Sequence, residues 1–508
     1  MTTPTHIPQL LRSGTATHTA FSAPDRPDLT YAGLRGHVDR TVAALNERGI
    51  GRGDRVAIVL PNGPEMASAF VAIAAGATTA PLNPAYRQPE FEFYLEDLGA
   101  KALVVAEGDD TPARAAAAAL GVPAMEIRAE PGSPAGTFSF VGEPRGAPAE
   151  RGGMAGPDDV ALVLHTSGTT SRPKIVPLLH RNVCATAENI RRTLRLEAGD
   201  RCLNVMPLFH IHGLMACVLS TLHAGASVYC APGFNALRIF GWLADADPTW
   251  YSAVPTMHQA ILARAGRNAA VVEGLRLRFI RSSSAALPSV VMAELEDAFG
   301  APVVEAYAMT EAAHQMTCNP LPPAARKPGT VGIAAGPDVS VMDAAGNHLA
   351  PGEEGEIVIR GPNVTPGYEN NETANREAFT HGWFRTGDQG FRDADGYFTI
   401  TGRLKEIINR GGEKISPREV DEVLMDHPAV QQVVTFAMPH PKLGEEVAAA
   451  VVLRDGAEAG PGDVRDFAAR RLAGFKVPRK VVILDEIPKG PTGKLRRIGL
   501  ADQLGLGG

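Results

Sequence analysis

Read from the amino end, the chain alternates stretches of helical period with short, almost uninterrupted apolar runs. LRGHVDRTVAALNERG places apolar residues three and four apart and stops at Gly49, which predicts a helix with a glycine terminus. DRVAIVLP directly after it predicts a strand buried on both faces. The same reading applies to AKALVVAE, DDVALVLHTSG, ASVYCAP, LRFIRSSS and APVVEAYAM, with helical segments such as SVVMAELEDAFG between them. Alternation of this kind predicts an α/β fold with mainly parallel sheets. The apolar stretch Met66 to Ala80, interrupted by Gly76, reads as a buried helix, too short for a membrane span.

Two later changes of texture predict further parts. Gly355 to Arg360 and Gly396 to Thr401 are shorter strands set among turn residues, a small β-rich subdomain of the large N-terminal domain. Beyond Gly402 the chain is charged and turn-rich, then returns to strand-like AVQQVVTFAMP, EEVAAAVVLR and KVVILDEIP, a small α+β domain of about a hundred residues. Pro131 to Gly156, rich in Gly, Pro and Ala, reads as a surface connection. There is no internal repeat.

Composition narrows the function. A length of 508 residues implies at least two domains, and 44% apolar with 21% charged residues is the balance of a globular protein. A net charge of -7 argues against a nucleic-acid surface, although loops and helix N-termini can bind phosphate inside an acidic chain. The five cysteines, Cys184, Cys202, Cys217, Cys230 and Cys318, show no CxxC spacing, so neither a disulfide framework nor a zinc site is expected. The expected setting is a reducing cytoplasm. No secretory signal is legible in MTTPTHIPQLLRSG, and LGLGG is no peroxisomal address.

Candidate chemistry begins at HTSGTTSRPKIVPLLHRNV, which follows the apolar run Val160 to Leu164 and precedes an expected helix. Thr166, Ser167, Gly168, Thr169 and Thr170 offer small residues, hydroxyls and close backbone approach, and Lys174 offers a cation; together these can hold a polyphosphate. The segment is no Walker A loop, since Gly-Lys-Ser/Thr is missing. Taken alone, the loop favours phosphate binding only modestly over a Ser/Thr-rich surface turn.

The loop resembles the phosphate signature of the adenylate-forming superfamily of acyl-CoA synthetases, luciferases and peptide-synthetase adenylation domains. The likeness runs from LTYAGLRGHVDRTVAALNERGIGRGDRVAIVLPNGPE to Lys494, through EAYAMTEA, HGWFRTGDQG, TGRLKE and PKGPTGKLRR. It implies ATP, Mg2+ and coenzyme A as ligands, and an acid–thiol ligase that works through an acyl-adenylate. It implies that Tyr307 stacks on adenine beside Ala285 and Ala286, that Thr310 meets the α-phosphate and that Glu311 binds Mg2+. Asp388 and Arg403 would hold the ribose, Lys405 would be the hinge, and Lys494 would reach the reacting carboxylate. His210 would gate the acyl pocket from the pantetheine tunnel, with Gly411, Gly412 and Lys414 along the CoA path. The implied domains are 1–402, a hinge at 403–406, and a mobile lid at 407–508.

Within the superfamily the nearest likeness is to oxalate-CoA ligase-like enzymes, through TSGTTSRPK, PLFHIHGL, GPNVTPGY and KEIINRGGEKISP. Tyr251, Ser252, Ala306, Ala308, Met309 and His314 are the expected pocket walls, where an oxalate-sized acid would require a cation or several converging donors. The family pattern has glycine where this chain has Ser171 and Ile175. Were Ile175 held at positive φ, it would cost about 1 to 2 kcal/mol, and its side chain could also fill space needed by pyrophosphate. That makes a partial enzyme, acting only on a preformed acyl-adenylate, the runner-up; a carrier-loading adenylation enzyme and a non-catalytic nucleotide-binding relic follow. The expected partners are a small carboxylic acid, ATP and CoA, with a homodimer possible and no membrane insertion.

Overall fold

The computed structural model describes residues 3–144, 147–166, 173–488 and 495–507. It contains two compact units, Met1–Val339 with Ile359–Phe384, and Ser340–Val358 with Arg385–Gly508. Among the described residues no helix is long and apolar enough to cross a membrane.

Two sheets form the large unit. One has nine strands, in the order Ile333–Ala334, His314–Cys318, Val303–Met309, Phe279–Ser283, Trp250–Ala253, Arg201–Asn204, Ser227–Cys230, Thr19–Ser22 and Leu29–Thr30. Its six middle members, Val303–Met309 through Thr19–Ser22, are parallel. Parallel strands need helical crossovers, which bury both faces, and every residue of Trp250–Ala253 and of Phe279–Ser283 is buried. The apolar runs ASVYCAP, LRFIRSSS and APVVEAYAM are three of these strands.

The other sheet has seven strands, centred on Arg55–Val59, Thr78–Pro81 and Ala102–Ala106 and ending with the antiparallel pair Val160–Thr166 and Lys174–Leu179. Two sequence readings change here. The stretch 66–80 is not one helix: Pro64–Ala74 is helical, and Thr78–Pro81 is a strand of the sheet. Gly76 makes the turn between them, where an added Cβ would sit 2.8 Å from Val42. The phosphate-loop segment does not run straight into a helix either. A strand, Lys174–Leu179, intervenes, and the helix begins at His180.

In the small unit, Gly444–Leu453 lies at the middle of a five-stranded sheet, antiparallel to Val430–His440 and parallel to Lys480–Ile483. Alternation along these strands covers both faces. Val433, Val447, Ala449 and Val451 pack with the helices Pro417–Met425 and Pro461–Ala469, while Val434, Phe436, Ala448 and Ala450 pack with Ile487 and Leu500. The first of these helices starts where Ser416 Oγ accepts from the Glu419 amide, with Glu419 favourably placed in the first turn.

Candidate active site

The large unit gathers its polar residues at the carboxyl ends of its parallel strands, where open α/β sheets present ligand sites. The buried strand Val303–Met309 ends in one tight turn, Thr310–Ala312, so that Tyr307, Thr310 and Glu311 follow one another off the sheet edge. Glu311 is only 6% exposed. Its Oε1 accepts from the Tyr368 hydroxyl at 2.8 Å, and its carbonyl accepts from the Thr365 amide at 2.7 Å. Lys174 Nζ lies 4.3 Å from the centroid of the Tyr368 ring, a cation–π contact. Register places Thr166 opposite Lys174 across the hairpin. The fold therefore brings Thr166, Lys174 and Glu311 into one neighbourhood, joined through Tyr368. Ser167, Gly168, Thr169 and Thr170 lie outside the described residues, as does Lys494.

His165, at the same strand end, has Nε2 3.0 Å from Asp97 Oδ2 and its ring 4.7 Å from that of Tyr94. Burial lowers its pKa below the ordinary value, opposed by Asp97. Ala285 and Ala286 are exposed just beyond the strand Phe279–Ser283. His210 is half-buried, its ring 4.5 Å from that of Phe209, and its carbonyl accepts from the Leu214 amide. It lies two residues before a π-helical segment, His212–Leu219, an uncommon conformation frequent at functional sites.

Ile175 corrects the expectation of strain. It sits within the strand Lys174–Leu179, opposite His165, and its φ is not positive. Its side chain is 7% exposed and belongs to the buried cluster with Leu82, Phe91 and Val163. A β-branched residue suits such a position, and no backbone cost arises.

The small unit holds the other candidates. Asp388 and Arg403 are direct partners on antiparallel strands, with Arg403 Nε donating to Asp388 Oδ1 at 3.0 Å. Asp388 as a whole is 8% exposed. Lys405 lies in the turn closed by the Ile407 amide on the Arg403 carbonyl, beside the Leu404 amide on the Gly387 carbonyl. Gly411 and Gly412, at φ 59° and 98°, form the two-residue loop between Arg410 and Glu413, the conformation a tight hairpin demands. Lys414 is exposed and pairs with Asn409.

Sequence reasoning passed over Tyr368 and Asp97. Tyr368 stood in GPNVTPGY as a family feature without a role, and Asp97 gave no local signal. Among the described residues no three His, Cys, Asp or Glu side chains cluster as a metal site. A single buried carboxylate suits Mg2+, which commonly takes one or two carboxylates and completes its shell with substrate phosphates and water.

A two-sheet α/β unit with a cation, a hydroxyl and a carboxylate at its strand ends, in a chain carrying a small α+β unit, defines the class of nucleotide-dependent acid-activating enzymes. Residues 12–369 match the family described as AMP-binding enzyme, and residues 419–494 match the AMP-binding enzyme C-terminal domain. The oxalate–CoA ligase of Arabidopsis thaliana is 45% identical over 483 residues, covering 94% of each chain. The sulfoacetate–CoA ligase of Cupriavidus necator is 36% identical over 483 residues, covering 93% of this chain and 92% of its own. The ATP-bound crystal structure of MatB from Rhodopseudomonas palustris superposes with a TM-score of 0.87 at 30% identity, over 98% of both chains. The chain belongs to the family of AMP-binding enzymes.

Proposed function

We propose that the acid activated by this chain is short and carries a second anionic group. The reaction is that of an AMP-forming acid–thiol ligase. A carboxylate oxygen attacks the α-phosphorus of ATP as the bond to pyrophosphate breaks, giving an acyl-adenylate. The sulfur of CoA then attacks the acyl carbon, the thiol proton is lost, and AMP departs to leave the thioester. The similarity to ligases named for oxalate and sulfoacetate supports the acid: each of those molecules has two acidic groups on a two-carbon frame.

In this reading, Thr166 to Thr170 and Lys174 cradle the polyphosphate, and Glu311 would hold Mg2+, which would supply charge neutralisation at the phosphate oxygens. Thr310 contacts the α-phosphate. Tyr307, Ala285 and Ala286 line the adenine, and Asp388 with Arg403 grips the ribose. Lys494 supplies a cation where negative charge develops. His210, Gly411, Gly412 and Lys414 serve the thiol-bearing arm, and the lid 407–508 turns about a hinge at 403–406 centred on Lys405. Five free, buried cysteines support a reducing cytoplasm as its setting.

The observation that carries adenylation is the Lys174–Tyr368–Glu311 arrangement, a buried carboxylate aligned by a hydroxyl beside a cation. With Ile175 in ordinary strand geometry and its side chain packed in the buried cluster with Leu82, Phe91 and Val163, neither reason for a partial enzyme finds support. The test is AMP release, with and without CoA, across a panel of oxalate, malonate, sulfoacetate, acetate and propionate. CoA-dependent AMP release with the doubly charged acids is expected. Equal turnover of acetate and propionate would refute the substrate class, and turnover only with a holo-carrier protein would replace CoA as acceptor.

A further inference from the structure

Among the described residues of the large unit, one cation is buried without a counter-charge. Arg281 stands mid-strand in Phe279–Ser283, and the whole residue is 0% exposed. Its Nη1 donates to Ser252 Oγ and to His212 Nε2, each at 3.4 Å, and its Nη2 donates to Gln315 Oε1 at 3.3 Å. None of these acceptors is a carboxylate. No carboxylate pairs with it among the described residues, and its Nε has no hydrogen-bond partner. An unanswered buried charge is expensive, so the fold retains it for a reason other than stability.

The hydrogen bonds give that reason a direction. Arginine only donates, so His212 Nε2 must be an acceptor. Ser252, accepting from Arg281, passes its own hydrogen to the same Nε2 at 2.6 Å. The imidazole hydrogen is then on Nδ1, 3.0 Å from Ser284 Oγ, which accepts it. With that lone pair occupied, the Ser284 hydroxyl is left to donate onward. Gln315 is fixed in turn, because its amide nitrogen donates to Thr193 Oγ1 and the Ala335 carbonyl, which turns Oε1 toward Arg281.

This relay ends among the nucleotide candidates. Ser284 directly precedes Ala285 and Ala286, and its neighbour Ser283 pairs with Ala306, next to Tyr307. Ser284 has φ 74°, and Ala313 and His314 on the adjoining turn have φ 47° and 110°. Left-handed backbone at three non-glycine residues is strain of the kind that collects at binding sites. The His314 ring meets His212 edge-on at 5.1 Å.

We propose that Arg281 is the positioning residue of the acyl pocket: it fixes His212 as the Nδ1–H tautomer, which aims the Ser284 hydroxyl outward as a donor backed by positive charge and so selects acids whose far end is anionic. The proposal rests on the ligase reading above. The other titratable groups around His212 do not compete. Tyr251 and the thiols Cys184, Cys202 and Cys318 are held neutral by burial, and the His314 ring, edge-on to His212, can bear no negative charge. Burial lowers His180 and His258 to about 4. The acids on neighbouring helices are engaged elsewhere, Glu188 with Arg191 and His223, Glu65 with Arg26.

Arg281→Met is expected to lose about 10- to 100-fold in kcat/KM for the best doubly charged acid at about pH 8, with KM for ATP unmoved. The loss should be larger for the doubly charged acids than for acetate or propionate, because only a far anionic end uses the charge behind Ser284. Arg281→Lys should fall between, and Ser284→Ala should lose the same acids. A loss shared equally by acid and ATP, or equal for every acid, would make Arg281 structural and overturn the proposal. Nitrogen NMR of the histidine-labelled wild type, with His212→Gln to identify the signal, needs neither a folded variant nor a substrate. A bare Nε2 that does not titrate is expected, and a protonated or titrating Nε2 would overturn the relay. A wild type that releases no AMP with any acid refutes the ligase reading, while the NMR result decides the relay on its own.

Discussion

Tyr368 is a residue whose importance lies in one oxygen. Its hydroxyl holds Glu311, and its ring carries Lys174. Tyr368→Phe keeps the ring and deletes the donor, and a buried hydrogen bond to a charged group is worth about 1.5 to 3 kcal/mol. ATP–pyrophosphate exchange should fall about 10- to 100-fold at limiting Mg2+, with less loss at high Mg2+; an unchanged metal dependence would detach Tyr368 from Glu311. Ile175→Gly tests the opposite kind of residue. Because Ile175 fills the cluster around Phe91 and Val163, its removal should cost about 3 to 5 kcal/mol of stability and give no gain in exchange. Thermal unfolding and exchange measured on the same sample decide it.

At the scale of elements, the two glycines after Arg410 have two possible uses. The hairpin Ile408–Arg410 to Glu413–Ile415 needs positive φ at both loop positions, and the family resemblance places a passing thiol arm there. Gly412 has open space around an added Cβ, so substitution there meets backbone strain alone. Gly412→Ala should destabilise the small unit by about 1 to 2 kcal/mol, and Gly412→Asn by less, since asparagine tolerates the left-handed region. If CoA affinity falls equally in both while stability differs, the glycine serves the path; if affinity follows stability, it serves the turn. The helix–strand break at Gly76 is an element-scale lesson of the same type. Apolar character over 66–80 was legible, but the boundary was not, because buried helix and buried strand share that composition.

At the scale of the whole molecule, the large unit carries a store of neutral histidines. Burial lowers His37, His180 and His258 to about 4. An unfolded chain binds protons at these sites below about 6.5, while the folded one does not until about 4. Stability is thus fully present above about pH 6.5 and is lost as pH falls toward about 4, by roughly 1 kcal/mol for each histidine at about pH 5.5. Trp242, Trp250 and Trp383 all lie in this unit, so the urea midpoint read by tryptophan fluorescence should drop between about pH 7.5 and 5.5. A midpoint that stays level would show that these imidazoles titrate normally.

The sequence by itself determined the class of fold, the mainly parallel character of its sheets and the motifs that mark the family, because periodicity and short loops depend on neighbours along the chain. It also marked Lys174, Thr310, Glu311, Asp388 and Arg403 as chemistry. Only tertiary structure decided which of these meet. Tyr368 reaches Glu311 and Lys174 across long separations in the chain, Ile175 turns inward as a strand residue, and Arg281 finds His212, Ser252 and Gln315 from three different elements. Such contacts depend on the register of strands and the depth of burial, and a lone arginine or histidine in a sequence carries neither.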